Sequence, residues 1–215
     1  MAPLKVLVAG FGPFPGVAKN PSGKLALDVA HSKRAAATGA KITGIVIPTV
    51  YRDVFSILSR VLATEKPDAI LLFGVAGSTP YLRIETRAVN AASRLHADAA
   101  GEKPARRALS ADSPPILRVR GPARRLLAAA RSADVPARLS IDAGRYICNA
   151  ALFHCLDTRR QTGTPKLVAF VHIPRSRGRK RRKTGRRSRS PTWASLQRAG
   201  EAILLALIAA LHQGG

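Results

Sequence analysis

Short apolar runs that stop at a glycine or a proline alternate with helical stretches along this chain of 215 residues. Three such runs come early, at residues 5–9, 42–47 and 69–73. Apolar runs of this length between turn residues are typical of strands that are buried on both faces of a sheet. Strands that alternate with helices predict an α/β fold with a mostly parallel sheet and helices on both faces. The length suits a single domain over residues 1–215, built around one sizeable core.

The later elements follow from the same patterns. Ser22 is a candidate N-cap for the first helix, and Thr192 is a candidate N-cap for a last helix that ends near residue 212. Residues 97–115 are polar and rich in alanine, aspartate and proline, which is typical of a loop. Further strands are predicted at 82–89, 135–141 and 167–171, and further helices at 54–63, 123–131 and 147–156.

Positive charge is concentrated in one stretch of the chain. Lysine and arginine number 36 against 12 acidic residues, which gives a formal net charge of +24. Residues 175–189 hold many of these cations and no apolar residue, so the composition predicts a mobile, solvated loop at about 175–190. Such a stretch can bind nucleic acid or another polyanion in a salt-sensitive manner. A polyanion partner therefore stays open on sequence grounds.

The two cysteines bear on the cellular compartment. Cys148 and Cys155 fall on one predicted helix, about 10 Å apart along its axis at about 1.5 Å per residue. A disulfide needs Cα atoms within about 7 Å, so these two cannot pair within that helix, and free thiols indicate a reducing compartment. The apolar runs near the start and at 202–211 are shorter than a membrane span. We expect a soluble, cytoplasmic protein with no membrane partner.

Three residues have side chains that could catalyse a hydrolysis. Cys148 stands where a helix begins, and the unpaired N–H groups there favour a thiolate and can bind an oxyanion. His172 follows an apolar strand and can pass a proton between a thiol and a leaving amine. Glu85 lies in an apolar run and needs a partner, either a histidine or one of Arg83 and Arg87. Taken alone, each residue also fits a purely structural role.

Metal and cofactor sites are not expected. Cys148 and Cys155 lack the paired spacings of zinc ligands. Gly10 and Gly12 lack the third glycine and the following helix of a dinucleotide-binding fingerprint. We therefore expect a chain that works without metal or cofactor.

Four segments together resemble the pyroglutamyl peptidase I family of cysteine peptidases, also called pyrrolidone-carboxylate peptidases. The first is Val-Leu-Val-Ala-Gly-Phe-Gly-Pro-Phe-Pro-Gly at 6–16 with Asn-Pro-Ser at 20–22. The second is Gly-Val-Ala-Gly at 74–77 with Ile-Glu-Thr-Arg-Ala-Val-Asn at 84–90. The third is Ser-Ile-Asp-Ala-Gly-Arg-Tyr-Ile-Cys-Asn at 140–149, and the fourth is Ala-Phe-Val-His-Ile-Pro at 169–174. The order of glutamate, cysteine and histidine and the gaps between them also resemble the family.

The resemblance implies an omega peptidase that removes an N-terminal pyroglutamyl residue from peptides. Cys148 would attack as a thiolate and carry an acyl-enzyme intermediate, His172 would be its base, and Glu85 would orient the histidine. The resemblance further implies homo-oligomers.

A substrate pocket is implied in the same way. Phe11 and Phe14 would line the pocket for the pyrrolidone ring, and Asn20 would hold the substrate-binding loop or the cysteine region. The backbone at Val75 and Ala76 would meet the lactam. A small, neutral, flat ring suits an apolar aromatic pocket of this kind.

The sequence departs from the family pattern at several places. Arg83 stands where the family usually has a small hydroxyl residue, and Thr86 stands where it often has a basic residue, with Arg87 one position later. The stretch at 175–190 replaces a short loop, and 97–115 matches poorly. Two alternatives stay open: a polyanion-binding protein on an inactive peptidase scaffold, and a thiol hydrolase of another cyclic amide.

Overall fold

The computed structural model describes residues 2–77, 79–174 and 191–213. The loop predicted at about 175–190 lies outside these residues. The described residues form eight strands and six helices. In chain order these are β1 (Lys5–Phe11), α1 (Pro21–Ala30), α2 (Lys33–Ala36), β2 (Lys41–Ile47), α3 (Tyr51–Glu65), β3 (Ala69–Val75), β4 (Leu82–Glu85), β5 (Arg87–Val89), β6 (Ile116–Arg118), α4 (Ala123–Ser132), β7 (Ala137–Ser140), α5 (Ile147–Thr162), β8 (Leu167–Ile173) and α6 (Trp193–Gln213).

Six strands form the central sheet in the order β2-β1-β3-β8-β4-β7. All neighbours in this sheet run parallel except β4 and β8, which are antiparallel. One core cluster joins the sheet to α1, α4 and α6, and the other joins its opposite face to α3 and α5. The predicted α/β fold with a mostly parallel sheet and helices on both faces is confirmed.

The alternation of side chains along the strands decides which residues face the site. In β8, Ala169 and Val171 belong to the core under α6, whereas Phe170 belongs to the core under α5. Because successive side chains in a strand point to opposite faces, His172 extends toward the α5 side. In β4 the same alternation places Leu82 and Ile84 under α4 and α6. Arg83 and Glu85 therefore share the α5 face with His172.

The first helix is capped by Asn20, and the prediction that Ser22 caps it is wrong. Asn20 accepts a hydrogen bond from the Ser22 backbone N–H at 3.1 Å. Pro21 takes the first helical position, where its missing N–H leaves no bond unmade. Ser22 is buried instead and accepts a hydrogen bond from the backbone N–H of Phe11 at 3.1 Å.

The strand predicted at 82–89 is two strands that belong to different sheets. The chain bends at Thr86, whose N–H donates to the Ser140 carbonyl at 2.8 Å. β4 stays in the central sheet, and β5 pairs with β6 in a separate two-stranded antiparallel sheet. Strand β6 was not predicted from the sequence. Residues 97–115 form neither helix nor strand, as predicted.

The last helix ends close to residue 212, as predicted, and as a whole it is longer than its apolar run at 202–211. By length and composition alone, α6 is long and apolar enough to cross a membrane. Its apolar side is buried in the core against α1, α4 and the sheet, with Ile203, Leu204 and Leu207 fully buried. α6 thus packs as a core helix of this domain. Thr192 caps the helix as predicted, because its hydroxyl accepts a hydrogen bond from the Ser195 N–H at 3.2 Å.

Candidate active site

Cys148 is the second residue of α5, so the sequence-based placement at a helix start is correct. The first intrahelical hydrogen bond runs from Ala150 N–H to the Tyr146 carbonyl, and no side chain caps the helix. The N–H groups of Ile147, Cys148 and Asn149 precede that bond and have no helical partner. The thiol therefore lies at the positive end of the helix, beside donors that suit a developing negative charge.

Gly74 lets the thiol pack directly against strand β3. A Cβ at this position would lie 2.9 Å from Sγ of Cys148 and 2.8 Å from a ring carbon of Phe170. Both distances are shorter than real carbon contacts, so a side chain at residue 74 would displace the sulfur or the ring. Gly74 is also the β3 register partner of His172 on β8. The missing side chain thus brings the thiol to the strand next to the histidine.

His172 and Glu85 form a buried pair behind the thiol. Nδ1 of His172 lies 2.8 Å from Oε1 of Glu85, and both side chains are almost fully buried. Arg83 reaches the same oxygen through Nη2 at 3.1 Å. Glu85 therefore has both partners that the sequence offered as alternatives. Its second oxygen, Oε2, is buried and has no hydrogen-bond partner among the described residues.

The surroundings of His172 favour its protonated form. Burial acts to lower the pKa of the ring, but the charge of Cys148 and its hydrogen bond to the ring act to raise the pKa, and Glu85 adds to that effect. The pKa of His172 is thereby raised to about 9. A protonated ring donates Nδ1–H to Glu85 and leaves Nε2–H for the sulfur. The protonated ring thus lies between the Glu85 carboxylate and the Cys148 sulfur.

The second cysteine lacks these features. Cys155 is fully buried on α5, and burial raises the pKa of its thiol to about 12. His154 is also apart from the site, with its ring 3.0 Å from the Ser59 hydroxyl. Since the thiolate is the reactive form of cysteine, only Cys148 has the surroundings of a nucleophile.

A pocket of about 270 Å³ opens above the thiol. This volume lies just below the range of about 300–1,000 Å³ that is usual for small-molecule sites, so it suits a small group. Seven of the eight residues proposed from the sequence line it, and Glu85 lies behind His172. The lining residues are Phe11, Phe14, Asn20, Thr49, Val75, Ala76, Arg83, Ala143, Gly144, Tyr146, Ile147, Cys148 and His172.

The loop after β1 forms the aromatic end of the pocket. Asn20 donates from Nδ2 to the Gly12 carbonyl at 2.9 Å, and the Thr49 hydroxyl donates to the same carbonyl at 2.9 Å. These bonds fix the loop that carries Phe14. The Phe14 ring lies 6.3 Å from that of Tyr146, between centroids. Asn20 thus holds the pocket loop, and its hydrogen bonds within the described residues go to Gly12 and Ser22 and not to the cysteine region.

The backbone at Ala76 is only partly available to a ligand. Its N–H donates to the Ile173 carbonyl at 2.9 Å, and its carbonyl accepts a bond from Thr79 N–H at 3.4 Å. A lactam carbonyl cannot take the Ala76 N–H without breaking the bond to Ile173. The lactam contact inferred from the resemblance must therefore use other backbone groups or the Ala76 carbonyl.

Two residues near the thiol were not predicted from the sequence to have a role in the site. Tyr146 lines the pocket and donates from its hydroxyl to the Ala97 carbonyl at 2.9 Å. Asn149 is buried and donates from Nδ2 to the Val89 and Ala91 carbonyls, at 2.8 and 3.0 Å. The sequence could have indicated that Asn149 bonds to the backbone of another segment. Asn149 is a polar residue next to the nucleophile at a buried helix start, and a buried amide must find hydrogen-bond partners.

Known proteins are similar to this chain in both sequence and fold. A family model described as pyroglutamyl peptidase matches residues 4–213. A pyrrolidone-carboxylate peptidase of Thermococcus kodakarensis is 34% identical over 171 residues, which are 80% of this chain and 81% of the relative. One of Bacillus subtilis is 31% identical over 170 residues, covering 79% of this chain and 78% of the relative.

Solved structures agree with these sequence matches. The pyrrolidone carboxyl peptidase from Thermococcus litoralis superimposes with a TM-score of 0.88 at 26% identity, covering 99% of this chain and 96% of that one. A structure titled Pf-PCP(1-204)-C gives a TM-score of 0.86 at 25% identity and covers 99% of both chains. The match extends over nearly all of the described strands and helices. This chain belongs to the pyroglutamyl peptidase family.

Proposed function

We propose that this protein is a cysteine peptidase that removes N-terminal pyroglutamyl residues from peptides. Cys148 is the nucleophile, His172 moves the proton and Glu85 orients His172. The observation that carries the proposal is the buried Glu85–His172 pair beside the thiol at the start of α5. The family match and the peptidase names of the relatives support the same activity.

The reaction proceeds through an acyl-enzyme. The Cys148 thiolate attacks the carbonyl carbon that joins pyroglutamate to the next residue, and a C–S bond forms. The carbonyl oxygen becomes an oxyanion near the free N–H groups of the α5 start. His172 gives its Nε2 proton to the leaving amine as the C–N bond breaks. Water, deprotonated by the neutral ring, then attacks the thioester, releasing pyroglutamate and restoring the thiolate.

The pocket suits the pyroglutamyl ring chemically. Phe11, Phe14 and Tyr146 offer apolar and aromatic surface for a small flat group. The ring has no free amine, and the pocket lining that the structure describes contains no aspartate or glutamate. A peptide with an ordinary charged N-terminus would have to bury its ammonium there without a counter-ion, which is costly.

A panel of fluorogenic amides tests the proposal. Purified protein is offered pyroglutamyl, prolyl and glutamyl amides of one fluorophore at equal concentrations. We expect turnover of the pyroglutamyl amide and little of the other two, and we expect Cys148→Ala to abolish it while Cys155→Ala keeps most of it. Turnover of none of the three would favour an inactive scaffold. Preference for a different cyclic amide would favour the related thiol hydrolase.

Further expectations accompany this proposal. We expect a cytoplasmic homo-oligomer, and we expect any binding of polyanions by residues 175–189 to be independent of sequence and to weaken steeply with salt. The polyanion-binding alternative is supported by the net charge of +24. The buried Glu85–His172 pair argues against it as the main function, because such a pair has no role in binding polyanions.

A further inference from the structure

The pocket is aromatic at one end and cationic at the other. Its residues come from neighbouring strands in the order β1, β3, β8 and β4. Strands lie about 4.8 Å apart, so three steps separate the two ends by about 14 Å. Phe11 ends β1 at the aromatic end, and Arg83 lies on β4 at the other. His172 on β8 lies between them.

This order assigns the two halves of a substrate to the two ends, if the proposed function holds. The pyroglutamyl ring lies at the aromatic end. His172 protonates the leaving amine, so the leaving peptide lies on the His172 side of the thiol. Arg83 is the register partner of His172 across the antiparallel β4–β8 pair, and its side chain lies on the same face. Side chains opposite one another in such a pair are neighbours, so Arg83 borders the leaving peptide.

The guanidinium of Arg83 is fixed and still has donors to offer. Nε and Nη2 donate to the Ser140 hydroxyl at 3.2 and 2.9 Å, and Nη2 also reaches the Asp142 carbonyl and Glu85. Nη1 makes no hydrogen bond with any described residue. The side chain is 21% exposed, so a ligand can reach it. A guanidinium held in place loses little further freedom when it binds a carboxylate.

We propose that Arg83 makes this site select pyroglutamyl peptides that carry a carboxylate close to the bond that is cleaved. The carboxylate is either the side chain of an aspartate or glutamate next to pyroglutamate, or the C-terminus of a pyroglutamyl dipeptide. Among the described residues that line the pocket, Arg83 is the only aspartate, glutamate, lysine or arginine. A partly exposed, charge-assisted hydrogen bond predicts an advantage in kcat/KM of about tenfold.

The test compares matched substrates in one protein. Pyroglutamyl-glutamate amide is measured against pyroglutamyl-glutamine amide, and free pyroglutamyl-alanine against its amide. Each pair differs by one carboxylate, and the two pairs distinguish its two sources. We expect a preference of about tenfold for the carboxylate in at least one pair.

The variants are Arg83→Met and, as matched control, Arg87→Met. Arg87 donates to the Ile141 carbonyl, in the same turn that Arg83 contacts, but it does not line the pocket. We expect Arg83→Met to bring the preference to about one and Arg87→Met to keep it. Because each preference is a ratio within one variant, a general loss of activity through Glu85 cancels. Arg83→Gln serves in its place if Arg83→Met does not fold.

Two results would overturn the proposal. The first is a wild-type protein that cleaves both members of each pair equally well. The second is an unchanged preference in Arg83→Met. With wild-type rates, that result would assign the preference to the general positive charge of the chain; with an equal loss for all substrates, it would leave Arg83 a positioning role only. Cleavage of none of the four would instead refute the proposed function, and this inference would fall with it.

Discussion

The substitution Gly74→Ala tests most directly whether the packing around the thiol positions it for catalysis. The new methyl group would lie 2.9 Å from Sγ of Cys148 and 2.8 Å from the Phe170 ring, where ordinary contacts are about 3.5–4.0 Å. The sulfur or the ring must therefore move by roughly 1 Å. A misplacement of about 1 Å can reduce a rate by about a hundredfold, and overpacking of this kind costs about 1–3 kcal/mol of stability. We expect a folded protein whose kcat/KM is lower by about a hundredfold.

The assay is kcat/KM on a pyroglutamyl fluorogenic amide, with thermal unfolding measured in parallel. Gly121→Ala is the matched control, because its methyl group would meet no atom closer than 3.6 Å. A second variant, Gly74→Ala with Phe170→Leu, relieves the contact with the ring but leaves the contact with the sulfur. We expect it to regain stability and stay poorly active. Wild-type kcat/KM in the folded Gly74→Ala protein would refute the reasoning.

Three further predictions concern the proton carrier, its pKa and the basic segment. His172→Ala should lose at least as much kcat/KM as Glu85→Gln, because the histidine transfers protons and the glutamate only orients it. Wild-type rates in Glu85→Gln would instead show that Glu85 is a structural partner of Arg83. The pKa of His172 is raised to about 9, so the ring keeps its proton through neutral pH, and a pH profile should show kcat/KM falling as pH rises through about 9. A profile that is flat to pH 10 would contradict that assignment. Replacing residues 179–183 with glycine and serine should leave turnover of a small neutral amide unchanged and weaken retention on heparin; loss of turnover in a folded variant would show that the segment helps to form the site.

Much of the central sheet follows from the sequence because its strands are apolar on both faces. β1, β3 and β8 are short runs of this kind, and each begins at the residue expected. Their ends were harder to place. Phe11 and His172 lie inside β1 and β8, because hydrogen bonds to neighbouring strands extend each strand beyond its apolar run.

The break at Thr86 could not be seen in the sequence. The apolar pattern continues across it, and only the hydrogen bonds to Ser140 turn the chain out of the central sheet. The short strand β6 could not be predicted for the same reason, because its pairing partner is β5, which lies outside the central sheet. The choice of Asn20 as the cap of α1 depends on Pro21, which is the first residue of the helix. A cap at Ser22 would have put Pro21 before the helix, two positions from where it lies.

The site residues were predicted mainly through the resemblance to a known family. The raised pKa of His172 was not predicted. The chemistry of cysteine, histidine and glutamate suggested roles, but the residues alone left a structural role open for each. The structure brings Cys148, His172 and Glu85 together and adds Arg83 to the same carboxylate. The sequence had offered Arg83 as an alternative to a histidine, and the two share the face of Glu85 because Arg83 lies two positions before it on the same strand. That both would bind the same oxygen could not be predicted from the apolar pattern.

The central claim is that Cys148 carries the acyl group during turnover. Mass spectrometry of protein quenched in acid while it cleaves a pyroglutamyl amide measures this directly. We predict a pyroglutamyl adduct on the peptide that contains Cys148, no adduct on Cys155, and no adduct in Cys148→Ala. An adduct on Cys155, or steady turnover by Cys148→Ala, would contradict the account.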